Sequence, residues 1–161
     1  MQKQQPHQPV LLEKVIEYLA IDPEGIYIDA TFGRGGHAGN ILKNLAEKGR
    51  LIAIDKDPEA LAYAKQHWGN DKRVEIYQAS FRTLAEIAKA HGIYGQVSGC
   101  LFDLGVSSPQ LDQAERGFSF LRDGPLDMRM DPKTGISAAT WLACATEKEM
   151  AQVLKDYGEE R

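Results

Sequence analysis

The 161-residue sequence lacks the features that mark several classes of protein. Its two cysteines, Cys100 and Cys144, have neither Cys-x-x-Cys nor histidine spacing, which argues against a disulfide framework and a metal site. We expect both thiols in the core. There is no apolar run near the roughly twenty residues of a membrane span and no charged-then-apolar leader. A net charge of −4 gives no basic field that would indicate nucleic acid. These absences favour a soluble, cytoplasmic protein without a targeting segment.

Strand-like and helix-like segments alternate along the first two thirds of the chain. A hydrophobic content of 43% is enough for one core of ordinary size. The periodicity predicts strands at 25–29, 50–55, 74–78 and 97–104, and helices at 9–19, 37–48, 58–68 and from a capping box at Thr83–Glu86 to about residue 91. This order predicts an α/β fold with a parallel sheet, and it puts ligand sites beyond the carboxyl ends of the strands.

A glycine-rich turn follows the first predicted strand. Asp29 ends that strand, and Gly33, Gly35 and Gly36 precede a predicted helix. Glycines let backbone N–H groups approach a ligand that a Cβ would exclude, and a helix N-terminus favours a negative group. Asp55 ends the next strand, where a carboxylate can accept both hydroxyls of a ribose. The pattern predicts a nucleoside-cofactor site; a glycine turn without a ligand is the alternative.

The spacing of the glycines and the position of Asp29 bear on which nucleoside is bound. The dinucleotide fingerprint is Gly-x-Gly-x-x-Gly. Counted from Gly33, its third glycine would come one residue before Gly39, so the third glycine of this chain is one residue late. Asp29 would repel a pyrophosphate, whereas it would attract the cationic amino-acid end of S-adenosylmethionine. The pattern resembles the first motif of class I methyltransferases, although Thr31 stands where many members have another glycine. A nicotinamide oxidoreductase shares the loop and Asp55, and it is the runner-up.

The residues after the fourth predicted strand carry a second site signal. Methylation of an exocyclic amine needs acceptors that hold its hydrogens and aim the nitrogen lone pair at the methyl sulfonium. Amino-methyltransferases have a short acidic–proline motif at this place, and Asp103-Leu-Gly-Val-Ser107 looks like a variant of it. Asp103 and Ser107 are therefore the candidate catalytic residues, acting by positioning and electrostatics rather than as a strong base. A turn with an Asx-type cap is the alternative.

The character of the chain changes after residue 104. Residues 105–136 are rich in Gly, Pro and Asp and are too long for a simple βα loop. Helices are predicted at 137–144 and, after a capping box at Thr146–Glu149, as far as Tyr157. We expect residues 1–104 to form the cofactor-binding α/β domain, and residues 105–161 to hold a substrate loop and the start of a helical insertion subdomain. The mixed charges of 112–133 predict a solvated or self-paired loop, with RNA contact as the alternative.

Six short motifs lie between residues 7 and 131. They are His7-Gln-Pro-Val-Leu-Leu12, Gly33-Arg-Gly-Gly-His37, Asp55-Lys-Asp-Pro58, Asp103-Leu-Gly-Val-Ser-Ser-Pro-Gln-Leu-Asp112, Arg116-Gly-Phe-Ser-Phe120 and Gly124-Pro-Leu-Asp-Met-Arg-Met-Asp131. Together they resemble the bacterial ribosomal RNA small-subunit methyltransferase H family. The resemblance implies a class I, Rossmann-like fold and S-adenosylmethionine as cofactor. It also implies N4-methylation of a decoding-centre cytidine of 16S ribosomal RNA in the small ribosomal subunit.

The resemblance also implies roles for single residues of the cofactor site. Gly35, Gly36 and His37 would contact the methionine end of the cofactor, and Asp55 would contact its ribose. Phe81 would pack on the adenine, and Asp103 and Gln110 would close the site. For His37, acid–base catalysis is the less favoured alternative. For Phe81, an ordinary place in the core is an equal alternative, although an aromatic face suits adenine.

The chain stops where members of this family continue for a comparable length. We therefore expect a fragment with an incomplete parallel sheet, whose last strand leaves an apolar edge open to pairing with another chain, as in a homo-oligomer. Such a piece would keep most cofactor contacts and methylate poorly or not at all. A non-catalytic interaction fragment that binds no cofactor is a further alternative.

Overall fold

The computed structural model describes residues 9–160, so the motif residue His7 lies outside the described part. The chain divides into two compact units, Met1–Ser107 and Ser108–Arg161. Within residues 9–160, none of the helices combines the length and the apolar character needed to cross a membrane.

The first unit is built on a sheet of four parallel strands. In spatial order β3-β2-β1-β4, the strands are β1 (Ile26–Asp29), β2 (Arg50–Asp55), β3 (Val74–Gln78) and β4 (Gly99–Leu101). Asp29 is in register with Ala53 of β2 and with Leu101 of β4, so the carboxyl ends of these strands share one edge. The predicted α/β fold with a parallel sheet is confirmed.

Helices cover both faces of this sheet. One face carries α1 (Leu12–Leu19), α2 (Gly36–Asn44) and α3 (Pro58–Trp68), and the other carries α4 (Leu84–Ala90). Successive side chains of β2 point to opposite faces, with Leu51 in the first core and Ile52 in the second. Because both faces are covered, β2 reads as a continuous apolar run rather than an alternating one.

Three elements differ from their predicted ranges by more than one residue. α1 begins at Leu12 rather than Pro9, α2 ends at Asn44 rather than residue 48, and β4 covers Gly99–Leu101 rather than 97–104. Leu45 ends α2 early because its backbone turns extended while its side chain packs into the core. β4 is short because, in the described part of the chain, it pairs with β1 alone, opposite Tyr27–Asp29.

The predicted capping box at Thr83 is wrong. Ser80 caps a 3-10 turn over Phe81–Thr83 instead, and its hydroxyl accepts a hydrogen bond from the Arg82 N–H at 3.3 Å. The Thr83 hydroxyl donates to the Ser80 carbonyl at 2.9 Å, and it makes no capping bond to α4.

The second unit contains three α-helices and a short 3-10 helix (Ala114–Arg116) among its described residues. The α-helices are α5 (Ser108–Asp112), α6 (Ala138–Cys144) and α7 (Glu147–Gly158). The predicted capping box of α7 is confirmed, since the Glu149 N–H donates to the Thr146 hydroxyl at 3.3 Å and Thr146 N–H donates to the Glu149 carboxylate at 2.8 Å. α7 includes Gly158, one residue more than predicted, and Glu159 takes the left-handed conformation after it.

Internal ion pairs and backbone bonds hold the irregular segment 113–136. Arg116 is buried, and its guanidinium donates to the carbonyls of Arg129 and Met130 at 3.2 and 3.0 Å. Arg129 in turn holds Asp127 at 2.6 Å, which lowers the pKa of that carboxyl to about 2. The prediction that charges of this loop pair among themselves is confirmed for Arg129 and Asp127. Gly124 is required here because a Cβ would overlap the carbonyl of Ala114.

The expectation that both thiols lie in the core is wrong, because Cys100 and Cys144 are exposed. Cys100 belongs to β4, an edge strand of the described sheet. Cys144 ends α6 and lines a groove of about 440 Å³ between α6 and α7. Beyond β4, Phe102 and Leu104 are also exposed, so this edge is apolar, as expected.

Candidate functional site

Three carboxylates stand at the carboxyl edge of the sheet. Asp29 and Asp55 end β1 and β2, and Asp103 follows β4 after one intervening residue. The negative charges of Asp55 and Asp103 both act on the carboxyl group of Asp29. The structure therefore brings together the three strand-end carboxylates that the sequence pattern singled out.

Asp29 is the most perturbed of these groups. Its side chain is only 1% exposed, and one oxygen accepts a hydrogen bond from the Thr31 N–H at 3.2 Å. Burial, with the neighbouring charges of Asp55 and Asp103, raises the pKa of Asp29 from 3.8 to about 7, against the effect of the backbone bond. A carboxyl group in this state gains from a nearby cation, because the cation stabilises the ionised form that burial disfavours.

Asp55 fastens the glycine loop to the sheet. Its two carboxylate oxygens accept hydrogen bonds from the Gly33 N–H at 2.7 Å and from the Asp57 N–H at 2.9 Å. Burial raises the pKa of Asp55, and these backbone bonds lower it in part. A carboxylate has about four lone-pair sites, so Asp55 keeps acceptor capacity for a hydroxyl group of a ligand.

Thr31 is a site residue to which the sequence reasoning gave no role. Its hydroxyl accepts a hydrogen bond from the Asp103 N–H at 2.7 Å, which ties the end of β1 to the chain leaving β4. The signal was its position in the motif, where a glycine could not form this bond. Thr31 therefore fixes the backbone of a candidate catalytic residue.

The three loop glycines meet different surroundings. Gly33 (φ 54°) and Gly35 (φ 70°) both adopt the left-handed conformation that favours glycine. Within residues 9–160, a Cβ on Gly33 would face open space, with only the Thr31 carbonyl within 4 Å. A Cβ on Gly35 would meet two aromatic rings, and one on Gly36 would overlap the ring of Pro9. Among the described residues 9–160, only Gly33 of the three therefore has open space where a Cβ would lie, and Gly35 and Gly36 could meet a ligand only through their backbone groups.

His37 lies at the start of α2 with a buried, unsatisfied nitrogen. The side chain is 7% exposed, and its Nδ1 has no hydrogen-bond partner among residues 9–160. Its Nε2 lies 3.7 Å from a carboxylate oxygen of Asp103. Burial lowers the pKa of His37, more than the charge of Asp103 raises it, so the buried site favours the neutral ring. A buried polar atom without a partner costs free energy that a ligand group could recover.

An aromatic pair borders the same edge. Phe81 and Phe102 are 42% and 46% exposed, and their rings meet edge to face with centroids 5.8 Å apart. The exposure of Phe81 rules out the alternative of an ordinary core phenylalanine. Phe102 was missed, although alternation along an extended chain puts it on the side opposite to Asp103. Two exposed rings of this kind suit the flat face of a base.

The remaining predicted site residues lie where the chain passes between the two units. Ser107 is the last residue of the first unit and is half-buried. Gln110 belongs to α5 of the second unit, and its side chain is buried. Their roles in transfer and in closing the site stay predictions. Across residues 9–160, no cluster of three or more His, Cys, Asp or Glu side chains could hold a metal ion.

Comparison with known proteins gives one consistent result. The sequence profile described as the MraW methylase family matches residues 4–161. A protein named ribosomal RNA small subunit methyltransferase H from Thioalkalivibrio sulfidiphilus is 59% identical over 155 residues, which cover 96% of this chain and 49% of that protein. The protein of that name from Alteromonas mediterranea is 60% identical with the same coverage, and that from Hydrogenovibrio crunogenus is 58% identical over 158 residues, 98% of this chain and 50% of that protein. The chain thus spans about half the length of these relatives.

Proposed function

This chain belongs to the MraW methylase family, and from that premise we propose that it forms the methyl-donor site of an S-adenosylmethionine-dependent ribosomal RNA methyltransferase. The observation that carries the proposal is the buried, charge-coupled carboxyl group of Asp29 beside the glycine loop. A nicotinamide dinucleotide would bring a pyrophosphate to this acidic edge, which like-charge repulsion disfavours. S-adenosylmethionine instead brings an ammonium and a sulfonium group.

The residues present fit this cofactor. Asp29 favours its cationic end, and the unsatisfied Nδ1 of His37 leaves a polar atom for a ligand to contact. The open side of Gly33 admits close approach, and the N-terminus of α2 suits the methionine carboxylate. Asp55 would hold the ribose, Phe81 the adenine, and the backbone of Gly35 and Gly36 the methionine end. When bound, S-adenosylmethionine would supply an activated methyl group.

Asp103 is proposed to position the acceptor amine. Its backbone is fixed by Thr31 at 2.7 Å, while its carboxylate is half-exposed and turned toward His37. A carboxylate in this place can accept the hydrogens of an exocyclic amine and leave the nitrogen lone pair free, and Ser107 could add a further polar contact. No strong base is needed, because an activated donor leaves positioning and charge as the main contributions.

The names of the relatives support ribosomal RNA as the substrate, and the finer details are proposed from the resemblance of the sequence motifs to that family. We propose a cytidine N4 of decoding-centre 16S ribosomal RNA as the acceptor, a cytoplasmic setting, and residues 105–161 as substrate loop and the start of a helical subdomain. The exposed apolar edge of β4 supports pairing with another chain, including a second copy. We expect the 161-residue chain to bind the cofactor and to transfer methyl groups weakly or not at all.

Calorimetric titration of the chain with S-adenosylmethionine and, separately, with NAD tests the proposal. We expect binding of the first and none of the second. Phe81→Ala should weaken binding at least about tenfold if it removes an aromatic face from adenine. Phe120→Ala is the matched control, because Phe120 is 94% exposed and belongs to the second unit. Binding of NAD alone would overturn the proposal, and binding of neither would favour a non-catalytic interaction fragment.

A further inference from the structure

The last turn of α3 packs an aromatic ring under the glycine loop. The rings of Trp68 and Phe32 meet edge to face, with centroids 5.5 Å apart and planes at 84°. A Cβ on Gly35 would lie 2.6 Å from the Trp68 ring and 2.6 Å from the Phe32 ring, and a Cβ on Gly39 would lie 3.4 Å from Trp68. The absent side chain of Gly35 is therefore filled by these two rings rather than reserved for a ligand.

A second contact joins the same loop to the same helix. The guanidinium of Arg34 lies over the ring of Tyr63 at 5.0 Å, and one of its nitrogens is 3.8 Å from the Glu59 carboxylate. Tyr63 is itself stacked on His67, with centroids 3.9 Å apart. Residues 32 and 34 of the loop are thus both held by aromatic side chains of α3.

The sheet holds the other side of the loop. The Phe32 N–H donates to the Ile54 carbonyl at 3.1 Å, and the Gly33 N–H donates to Asp55 at 2.7 Å. Backbone bonds from β2 and ring contacts from α3 therefore fix the loop from two sides. The Trp68 ring is the bulkier of the two rings that fill the space at Gly35, and it is half-buried in the core.

We propose that Trp68 is a positioning residue for the cofactor. It holds loop 32–36 in the conformation in which Gly33 is open and His37 faces the donor site, without touching the cofactor itself. The inference rests on the proposed function, since it assumes that this loop binds S-adenosylmethionine. It also implies that Trp68 is one reason for glycine at position 35, beside the left-handed backbone and the Phe32 ring, so the effects of substituting Gly35 and Trp68 should be coupled.

The experiment is a calorimetric titration of the 161-residue chain with S-adenosylmethionine, comparing wild type with W68F and W68L. We expect W68L to weaken binding about tenfold through displacement of the loop, and W68F about threefold, since its ring is shorter. W141L is the matched control, because it removes the other tryptophan, which lies in α6 of the second unit. Its affinity should equal that of wild type.

The dissociation constant and the binding stoichiometry together distinguish a positioning role of Trp68 from a role in stability alone. A merely structural role would lower the fraction of folded protein, and so the binding stoichiometry, while leaving the dissociation constant unchanged. In a G35A background, adding W68L should weaken cofactor binding less than about twofold relative to G35A alone. The clash of the new Cβ with the ring has already displaced the loop in the single variant. If circular dichroism shows that W68L is unfolded, the test is the comparison of the dissociation constants of W68F and wild type.

Two outcomes would overturn the inference. One is a dissociation constant that is the same in wild type, W68F and every folded W68L sample. The other is a G35A/W68L double variant whose loss of affinity equals the product of the two single losses. If wild type fails to bind S-adenosylmethionine at all, the proposed function fails instead, so the two failures are distinguishable.

Discussion

Replacing Asp29 with asparagine should make the fold more stable while it weakens cofactor binding. The substitution keeps the size of the side chain and an oxygen that can accept the Thr31 N–H. It removes a buried ionisable group whose folded pKa, about 7, is above the ordinary 3.8. A group of this kind costs no stability below pH 3.8, and it costs progressively more as the pH rises toward 7, because the unfolded chain ionises freely and the folded chain does not.

The size of this effect on stability follows from the difference between the folded and the ordinary pKa of Asp29. A pKa of about 7 against 3.8 corresponds to a penalty of about 4 kcal/mol above pH 7. The new amide group could lose about 1–3 kcal/mol if its N–H groups find no acceptor, although the carboxylates of Asp55 and Asp103 act on the same position. We therefore expect Asp29→Asn to raise the free energy of unfolding by about 1–3 kcal/mol at pH 8.

Urea unfolding at pH 5 and pH 8 measures this directly. The difference in stability between Asp29→Asn and wild type should grow from pH 5 to pH 8, and titration at pH 8 should show weaker binding of S-adenosylmethionine. Asp22→Asn is the control, because that carboxylate is exposed at a turn. A variant less stable than wild type at pH 8, or a difference that does not change with pH, would refute the account of Asp29.

Three further predictions concern Asp29 and the second unit. Because a bound cation favours ionised Asp29, cofactor binding should release protons near pH 6.5, and the affinity should rise with pH up to about pH 7. Calorimetry in buffers of different ionisation enthalpy measures both effects, and equal affinity at pH 6 and 8 would contradict this prediction. Arg116→Ala should lower the free energy of unfolding by about 2–3 kcal/mol, because two carbonyls lose a buried donor. Thermolysin should then cleave faster within 113–136, and an unchanged cleavage rate would contradict this prediction. Gly124→Ala should lower the melting temperature far more than Gly135→Ala, because only the first Cβ would overlap a backbone carbonyl, that of Ala114; similar melts of the two variants would contradict it.

Features encoded by neighbouring residues were predictable from the sequence. The parallel strands followed from apolar runs, the start of α3 from Asp57 and the proline after it, and that of α7 from the Thr146–Glu149 capping box. In each case the hydrogen bond that starts the helix joins residues two or three positions apart. Such signals need no knowledge of the tertiary fold. The family resemblance, carried by longer motifs, is confirmed by the match over residues 4–161.

Features that depend on distant contacts were not predictable in this way. The bond between Thr31 and Asp103 joins residues 72 positions apart, and the Trp68 ring under Gly35 comes from another helix. The capping box at Thr83 failed because Ser80, just upstream, forms a competing turn. Cys100 was expected in the core because its neighbours are apolar, whereas the number of strands beside β4 decides its exposure. Patterns along a chain cannot report such spatial neighbours.

The bonds that hold segment 113–136 bear on how RNA could be recognised there. Arg116 and Arg129 are engaged by carbonyls and by Asp127 of the same segment, so neither cation is at hand to displace counterions from a phosphate backbone. These two side chains should therefore add little to the salt dependence of any RNA affinity of this segment. Their contribution to recognition would be to fix the shape that the segment offers to unstacked bases, with attraction to phosphates left to other cations such as the exposed Lys133.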